Sequence, residues 1–396
     1  MAFKAARQNY QPTDRLLRLL ETFRGMVNDC IAIRLTNDAW TLKRLSSLAY
    51  RQLNWYDCLS YYKLCAISRA AGILASRRKS FKRGVTPRSP YSLRPQLVSC
   101  YGFKIKNDRL SVPVGKHTYE EIRLNPHTLK VLTDQQVKVR SFLLTPNSLS
   151  IKIAKEVATR PVVGTIGVDR NLSNLTYGNL ERVVQYDLSK TTSITQTTRS
   201  IVSSFHRNDT RIRRHIAGKY GKRRRNRTLQ LLHHTTKRIV RDVAQYSEAI
   251  VLERIDGIRK LYRKGNGQGR KYRGRMNGWS FGEAQRQIQY KAAWEGTPVV
   301  KVNPRGTSNR CAKCGEILQL AQLSDTKHRR CLWCNKCQRW IDRDVNAAIN
   351  LSLRGRLRFD RSEGSPGEAM VEEREPEKAT LILTVDGEKS SQQLKT

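Results

Sequence analysis

Three carboxylates far apart in the chain, Asp169, Glu253 and Asp344, each stand where an element of secondary structure can deliver them to one point. Asp169 follows Val162-Val163-Gly164-Thr165-Ile166-Gly167-Val168, whose β-branched content and length suit a buried strand. Glu253 ends a second short apolar run, Ala249-Ile250-Val251-Leu252. Asp344 opens a segment in which Val345, Ala348 and Ile349 recur at helical spacing, and aspartate is a favoured helix N-cap, so the pattern places Asp344 at a helix start. Such oxygen ligands suit Mg²⁺, a hard cation that keeps several waters while substrate phosphate completes its shell. Two such ions activate a water and stabilise the leaving oxygen during in-line attack on a phosphodiester. Taken singly, an aspartate after a strand is better read as a turn former or cap. The order and company of the three point to a metal-dependent nuclease.

A second chemical signal lies just before Asp344. Cys311-Ala-Lys-Cys314 and Cys334-Asn-Lys-Cys337 form two knuckles with the spacing of a four-cysteine zinc site. Four thiolates leave Zn²⁺ no open position, so this ion holds a small ribbon together and does no chemistry. Cys331-Leu-Trp-Cys334 is also a C-x-x-C, which leaves two choices for the fourth ligand; Cys337 is preferred and Cys331 is read as spare. A redox-active pair is the rival reading, against which the two paired knuckles argue. Cys30, Cys58, Cys65 and Cys100 stand in apolar surroundings and read as small buried hydrophobes.

The elements that must position these groups belong to a chain of 396 residues, long enough for two or three domains. A net charge of +42 implies a polyanionic partner over much of the surface, with nucleic acid the leading candidate. No apolar stretch approaches the roughly 20 residues of a membrane-spanning helix. Lys4 and Arg7 are not followed by the apolar core of a signal peptide, so the expectation is a cytoplasmic protein with reduced thiols.

From Pro12 to about Ser80, Leu16, Leu17, Leu19, Leu20, Phe23 and Val27, then Leu45, Leu48, Leu53 and Leu59, mark a helical domain. Its basic residues thicken toward the end, at Arg77, Arg78 and Lys79, and their excess over acids favours phosphate contact. From Ser92 to about Val157, short alternating runs separated by Asn, Asp, Pro and Gly predict antiparallel strands in a small barrel. After Asp169, two more strands are predicted at 172–177 and 182–186, joined by a turn at Gly178-Asn179. The segment 198–247 reads as a very basic helix. Arg211, Arg213, Arg214, Lys222, Arg223, Arg224, Arg225 and Arg227 carry hardly any opposite charge, which favours nucleic acid over a solvated face. The Gly/Arg/Lys-rich stretch 260–278 is expected to be a mobile lid with Tyr262 and Tyr272 available for base stacking. Glu363, Glu368, Glu372, Glu373, Glu375 and Glu377 mark an acidic tail expected to be disordered.

With these residues in view, the chain resembles a known family. The strings G-V-D-R-N-L-S-N-L-T-Y-G-N from Gly167, I-V-L-E-R-I from Ile250 and D-R-D-V-N-A-A-I-N-L from Asp342 resemble the three RuvC motifs of the TnpB proteins of insertion sequences. W-S-F-G-E-A-Q-R-Q-I-Q-Y-K-A from Trp279 and P-R-G-T-S-N-R-C-A-K-C-G from Pro304 resemble the same family. The resemblance is specific from about Gly164 to Leu353 and loose in the N-terminal half. It implies a multidomain α+β and α/β protein with a wedge β-barrel at 1–10 and 88–160 and an inserted helical recognition domain at 11–87. An RNase H-like RuvC domain at 161–355 contains a zinc ribbon at 308–340, and the tail follows at 356–396. The implied activity is RNA-guided cleavage of double-stranded DNA beside a short flanking motif, associated with a transposable element. By position Asp169, Glu253 and Asp344 match the catalytic triad, and Asp342 matches a preceding, usually non-catalytic aspartate. The resemblance implies two Mg²⁺ ions, one Zn²⁺ and a guide RNA derived from the transposon end, in a monomer. Arg170-Asn171, Gln338 and Cys331 depart from the usual pattern. A catalytically silent RNA-guided DNA-binding regulator and an unguided resolvase-type nuclease are the alternatives.

Overall fold

The structure is a computed structural model describing residues 1–37, 41–82, 84–205, 210–255, 257–258, 262–263, 265–320, 330–362 and 381–384. It divides into two compact units, Met1–Glu156 and Val157–Thr396. Among the described residues no helix is long and apolar enough to cross a membrane.

In the first unit, β1 (Ala2–Asn9) precedes α1 (Asp14–Thr36), α2 (Leu42–Gln52) and α3 (Ser60–Lys82). Thr13 caps α1 by accepting the Leu16 amide at 3.3 Å. The predicted apolar stripe of α1, including Leu16, Leu19, Leu20, Phe23 and Val27, is buried. Then come β2 (Leu97–Ser99), β3 (Lys104–Lys106), β4 (Arg109–Gly115), β5 (Thr118–Arg123), α4 (Pro126–Leu132), β6 (Val137–Thr145) and β7 (Ser148–Lys155). The strands pair antiparallel as predicted, in one sheet of order β1-β7-β6-β2 and another of order β3-β4-β5. Among the described residues no ladder joins the two sheets into a closed barrel.

The second unit is built on β8 (Gly164–Arg170), β9 (Asn174–Gly178) and β10 (Val183–Asp187), followed by α5 (Ser189–Ser204) and α6 (Thr210–Gln245). It continues with β11 (Glu248–Glu253), α7 (Arg270–Gly278), α8 (Phe281–Glu295), β12 (Val299–Val302), β13 (Gln319–Leu320), β14 (Cys331–Cys334), β15 (Arg339–Asp342), α9 (Arg343–Ser362) and β16 (Leu381–Thr384). The main sheet has the order β12-β11-β8-β9-β10-β16, with β11 parallel to both β8 and β12. Strand alternation sorts the side chains. Ile166, Val168, Ile250 and Leu252 share a core with Ile239 and Val243 of α6 and Ile288 and Ala292 of α8. Gly167 and Val251 point the other way and meet α9. Thr165 and Ser352 clasp strand to helix: the Thr165 hydroxyl donates to the Ser352 carbonyl at 2.9 Å, and the Ser352 hydroxyl donates to the Thr165 carbonyl at 2.7 Å.

Two expectations need correction. Residues 270–278, read as part of a mobile lid, form α7, because Arg, Lys and Met are adequate helix formers even where no side chain is buried. Of the tail expected to be disordered, Leu381–Thr384 form an edge strand parallel to β10, as their apolar Leu-Ile-Leu run permits. The remainder of the tail beyond Ser362 lies outside the described residues.

Candidate active site

The sheet register places two of the three carboxylates side by side. Val168 of β8 is paired with Leu252 of β11 in a parallel ladder, so the next residues, Asp169 and Glu253, leave neighbouring strand ends. By alternation each lies on the same face as Gly167 and Val251, the face that α9 covers. Asp344 lies in the first turn of α9 and is 2 % exposed, against 7 % for Asp169. The Asp169 carboxyl lies beside Glu253 at the ends of the paired strands. Burial first, then Glu253 and the charge of Asp344, holds its pKa well above the usual carboxylate range, while Asn171 pulls it down.

Asp344 is not the N-cap. Asp342 caps α9 instead, its Oδ1 accepting the amides of Asp344 and Val345 at 2.8 and 3.0 Å. Two aspartates two residues apart satisfy the same sequence signal, and the one at the edge of β15 takes the cap. The Asp344 side chain is thereby left to the site.

Residues that the sequence reading passed over complete the surroundings. Asn171 Nδ2 donates to Asp169 Oδ2 at 2.7 Å and to Asn174 Oδ1 at 3.1 Å, and Asn174 Nδ2 donates to Asp344 Oδ2 at 2.9 Å. Arg330 forms an ion pair with the same Asp344 oxygen. Arg170 is 1 % exposed and donates to the Glu253 carbonyl at 2.8 Å, to Gln285 Oε1 at 2.9 Å and to the Phe281 carbonyl at 3.2 Å. It fastens the ends of β8 and β11 to the start of α8. Trp279 Nε1 donates to the Asn171 carbonyl at 2.9 Å. Of these, the departure at Arg170-Asn171 was visible in the sequence, but its contacts, 83 to 115 residues distant for Arg170, were not.

Asp169 and Asp344 are buried and Glu253 is half-buried. Carboxylate oxygens suit a hard divalent cation, so by residue type the three fit Mg²⁺; among the described residues the cysteine cluster alone has its ligand atoms within 4.8 Å of one another.

The sulfurs of Cys311, Cys314, Cys334 and Cys337 lie within 4.8 Å of one another, and Cys331 is not among them. Cys311 to Cys337 is 3.8 Å and Cys314 to Cys334 is 3.5 Å, near the roughly 3.8 Å edge of a tetrahedron with Zn–S bonds of about 2.3 Å. Burial raises the Cys314 thiol, but the Glu316 amide and the neighbouring sulfurs outweigh it and bring the pKa down to about 7. The antiparallel sheet β13-β14-β15 carries the second knuckle. α9 holds the first: the Ala312 amide donates to Asn346 Oδ1 at 2.9 Å, and Asn346 and Asn350 donate to the Arg310 carbonyl at 2.7 and 2.8 Å.

The predicted nucleic-acid residues fall on two helices. Arg214, Lys222, Arg223, Arg225 and Arg227 are exposed on α6 and Arg224 is half-buried, while the side chains of Arg211 and Arg213 lie outside the described set. On α3, Arg78 and Lys79 are exposed, and the Arg77 guanidinium stands 5.1 Å from the centre of the Phe81 ring. Tyr262 is 3 % exposed, which removes it from base stacking; Tyr272 is exposed.

A family model described as the Cas12f1-like TNB domain matches residues 281–351. The TnpB-like protein MJ0751 of Methanocaldococcus jannaschii is 27 % identical over 270 residues, which are 63 % of this chain and 91 % of that protein. The chain is thus similar to a TnpB-like protein over nearly that protein's whole length. Shorter matches join this chain to InsQ of Escherichia coli K12, 38 % identical over 78 residues, and to the CRISPR-associated endodeoxyribonuclease Cas12f1 of Sulfoacidibacillus thermotolerans, 31 % identical over 78 residues. Each spans 20 % of this chain and 18 % of the relative. In fold, the chain is similar to a protein solved by cryo-electron microscopy in a Cas12f1–sgRNA–target DNA complex. The TM-score is 0.60 at 14 % identity, covering 85 % of this chain and 82 % of that one.

Proposed function

We propose that the chain is an RNA-guided DNA endonuclease of a transposable element, cleaving double-stranded target DNA beside a short flanking motif. The observation that supports this most directly is the convergence of carboxylates from two parallel strand ends and one helix start. Asp169, Glu253 and Asp344 would hold Mg²⁺ ions, which supply an activated water and stabilise the leaving oxygen of the phosphodiester. The chain's own contribution is placement. Arg170 ties the Glu253 backbone to the end of β8, Asp342 fixes the first turn of α9, and the cysteine ribbon steadies the loop before it.

A net charge of +42 exceeds what one DNA duplex in a cleft requires, which favours a folded guide RNA as a second polyanion. We assign RNA and DNA contact to Arg77, Arg78, Lys79 and the basic half of α6. The strands at 1–10 and 88–160 are assigned to a wedge platform, 11–87 to target recognition, and 356–396 to a region outside the catalytic machinery. The guide is taken to come from the transposon end and to be held by a cytoplasmic monomer. Sequence choice then rests on base pairing, with protein reading only a short duplex motif. Affinity for the guide should fall by roughly three or more decades between about 50 and 200 mM salt if six or more phosphates are contacted.

The test is to exchange the guide segment while protein and target stay fixed. Cutting should move with the guide and stop in Asp169→Ala, Glu253→Ala and Asp344→Ala proteins that still bind the target. Cutting that persists at the old sequence favours an unguided nuclease, and guided binding by wild type without any cutting favours a silent regulator.

A further inference from the structure

We infer that Asn171 is a positioning residue that fixes which oxygens of Asp169 and Asp344 face the metal. The inference rests on the proposed metal-holding role of those carboxylates and goes beyond it to a residue the family pattern does not supply. A carboxylate on a strand end or helix turn rotates about its terminal bond unless one oxygen is held. Here the Oδ2 of Asp169 is held by Asn171 Nδ2 at 2.7 Å. The same nitrogen donates to Asn174 Oδ1 at 3.1 Å, which orients the Asn174 amide so that its Nδ2 donates to Asp344 Oδ2 at 2.9 Å. One continuous relay, Asp169–Asn171–Asn174–Asp344, thus joins two carboxylates from elements remote in sequence. In both aspartates the relay occupies Oδ2, which in Asp344 Arg330 also pairs with, and on this inference Oδ1 is the oxygen turned to a cation.

Asn171 is itself held. Its carbonyl accepts from Trp279 Nε1 at 2.9 Å, and the preceding Arg170 is buried and bound to the Glu253 carbonyl and the start of α8. Asn174 is 8 % exposed. An amide held on both sides has one orientation. Hydrogen-bonded partners of metal ligands tune affinity by about 10–100-fold when removed, which sets the size of the expected effect.

The experiment measures Mn²⁺ binding by calorimetry, using full-length protein with its co-purifying RNA and cysteine-bound zinc retained. The variants are Asn171→Leu, which keeps the branched shape and removes the donor, Asn174→Ala, and both together. Each single variant should weaken Mn²⁺ by about 10-fold or more. Because the two amides act in series, the double variant should lose little beyond the larger single loss. Cleavage by Asn171→Leu should recover at raised Mg²⁺, with the metal concentration for half-maximal rate shifted and the saturated rate changed less. A cooperative melt near that of wild type, with zinc retained, establishes folding; if Asn171→Leu fails this check, Asn174→Ala decides. Mn²⁺ affinity within about two-fold of wild type in the folded variants, or losses that add in full, overturns the inference. Absence of Mn²⁺ binding by wild type would instead overturn the metal-site reading on which it stands.

Discussion

Gly167 of β8 and Ala348 of α9 touch so closely that a β-carbon added to Gly167 would sit 2.0 Å from the Ala348 carbonyl oxygen and 2.7 Å from Leu351 Cβ. Gly355 makes the matching approach about two turns further along the same face of α9, where an added β-carbon would sit 2.1 Å from Val251 Cγ2. These contacts set the height of α9 above the sheet, and with it the reach from Asp344 to Asp169.

Gly167→Ala should therefore destabilise the second unit by about 1–3 kcal/mol or more, the range for overpacking a tight core, and should abolish cleavage. Gly218→Ala is the control, since nothing lies within 4 Å of its added carbon and α6 is helical there. It should be neutral or gain up to about 1 kcal/mol. Denaturant melts of the two variants check the contrast, and a Gly167→Ala protein as stable as wild type would mean that α9 docks otherwise.

Cys337→Ser should lose zinc while Cys331→Ser keeps about one ion per chain in metal analysis, because the Cys331 sulfur is outside the cluster. Zinc is worth on the order of 10 kcal/mol to such small folds. Because Asn346 and Asn350 of α9 hold the Arg310 carbonyl and the Ala312 amide of the first knuckle, zinc loss should also reduce cleavage. Retention of zinc by Cys337→Ser would show that the ribbon closes around a different fourth ligand.

Gln338 sits at φ +48°, left-handed backbone that a side chain disfavours. Glycine carries no such penalty, so Gln338→Gly should stabilise the ribbon by about 0.5–1 kcal/mol. Part of the gain is offset by loss of the hydrogen bond from Gln338 Nε2 to the Asn335 carbonyl. Zinc retention against a competing chelator measures the change; faster loss of zinc from the variant would contradict the expectation.

The raised pKa of Asp169 gives a pH dependence of definite sign. A carboxyl titrating higher in the folded than in the unfolded chain contributes stability that is full below its unfolded value and is lost as pH rises through its folded value. In Mg²⁺-free buffer, wild type should lose this contribution across that window, while Asp169→Asn keeps a flatter profile and melts higher at neutral pH. Added Mg²⁺ should raise the wild-type melting temperature more as pH increases, because the ion replaces a proton. Thermal melts across pH, with zinc retained, report both trends; parallel profiles for the two proteins would remove Asp169 as the source.

The carboxylates were legible because strand ends and helix starts announce themselves in local pattern: a β-branched run stops at Asp169, and an apolar run stops at Glu253. Local pattern does not separate Asp342 from Asp344, since both satisfy the same capping signal two residues apart. Nor does it reach Arg170, Asn174 and Arg330, whose roles lie in contacts across 14 to 170 residues, or Asn171, whose partners two and three residues away gain their meaning only because Asn174 reaches Asp344. Hydrophobic periodicity was silent for α7, which buries no side chain. The strands of the first unit were legible from alternation, but how sheets associate depends on pairing between runs as short as the three residues of β2 and β3.

The close seating of α9 also bears on timing. A ribosome releases β8 and β11 long before α9, so Asp169 and Glu253 are made while the surface that receives Ala348 and Leu351 is still bare. On the proposed function, a growing chain can engage nucleic acid through its basic helices before it is able to cut any. On the same reading, catalytic competence waits until α9 comes down onto the sheet. On that reading a nuclease translated beside its own guide is harmless until α9 has emerged.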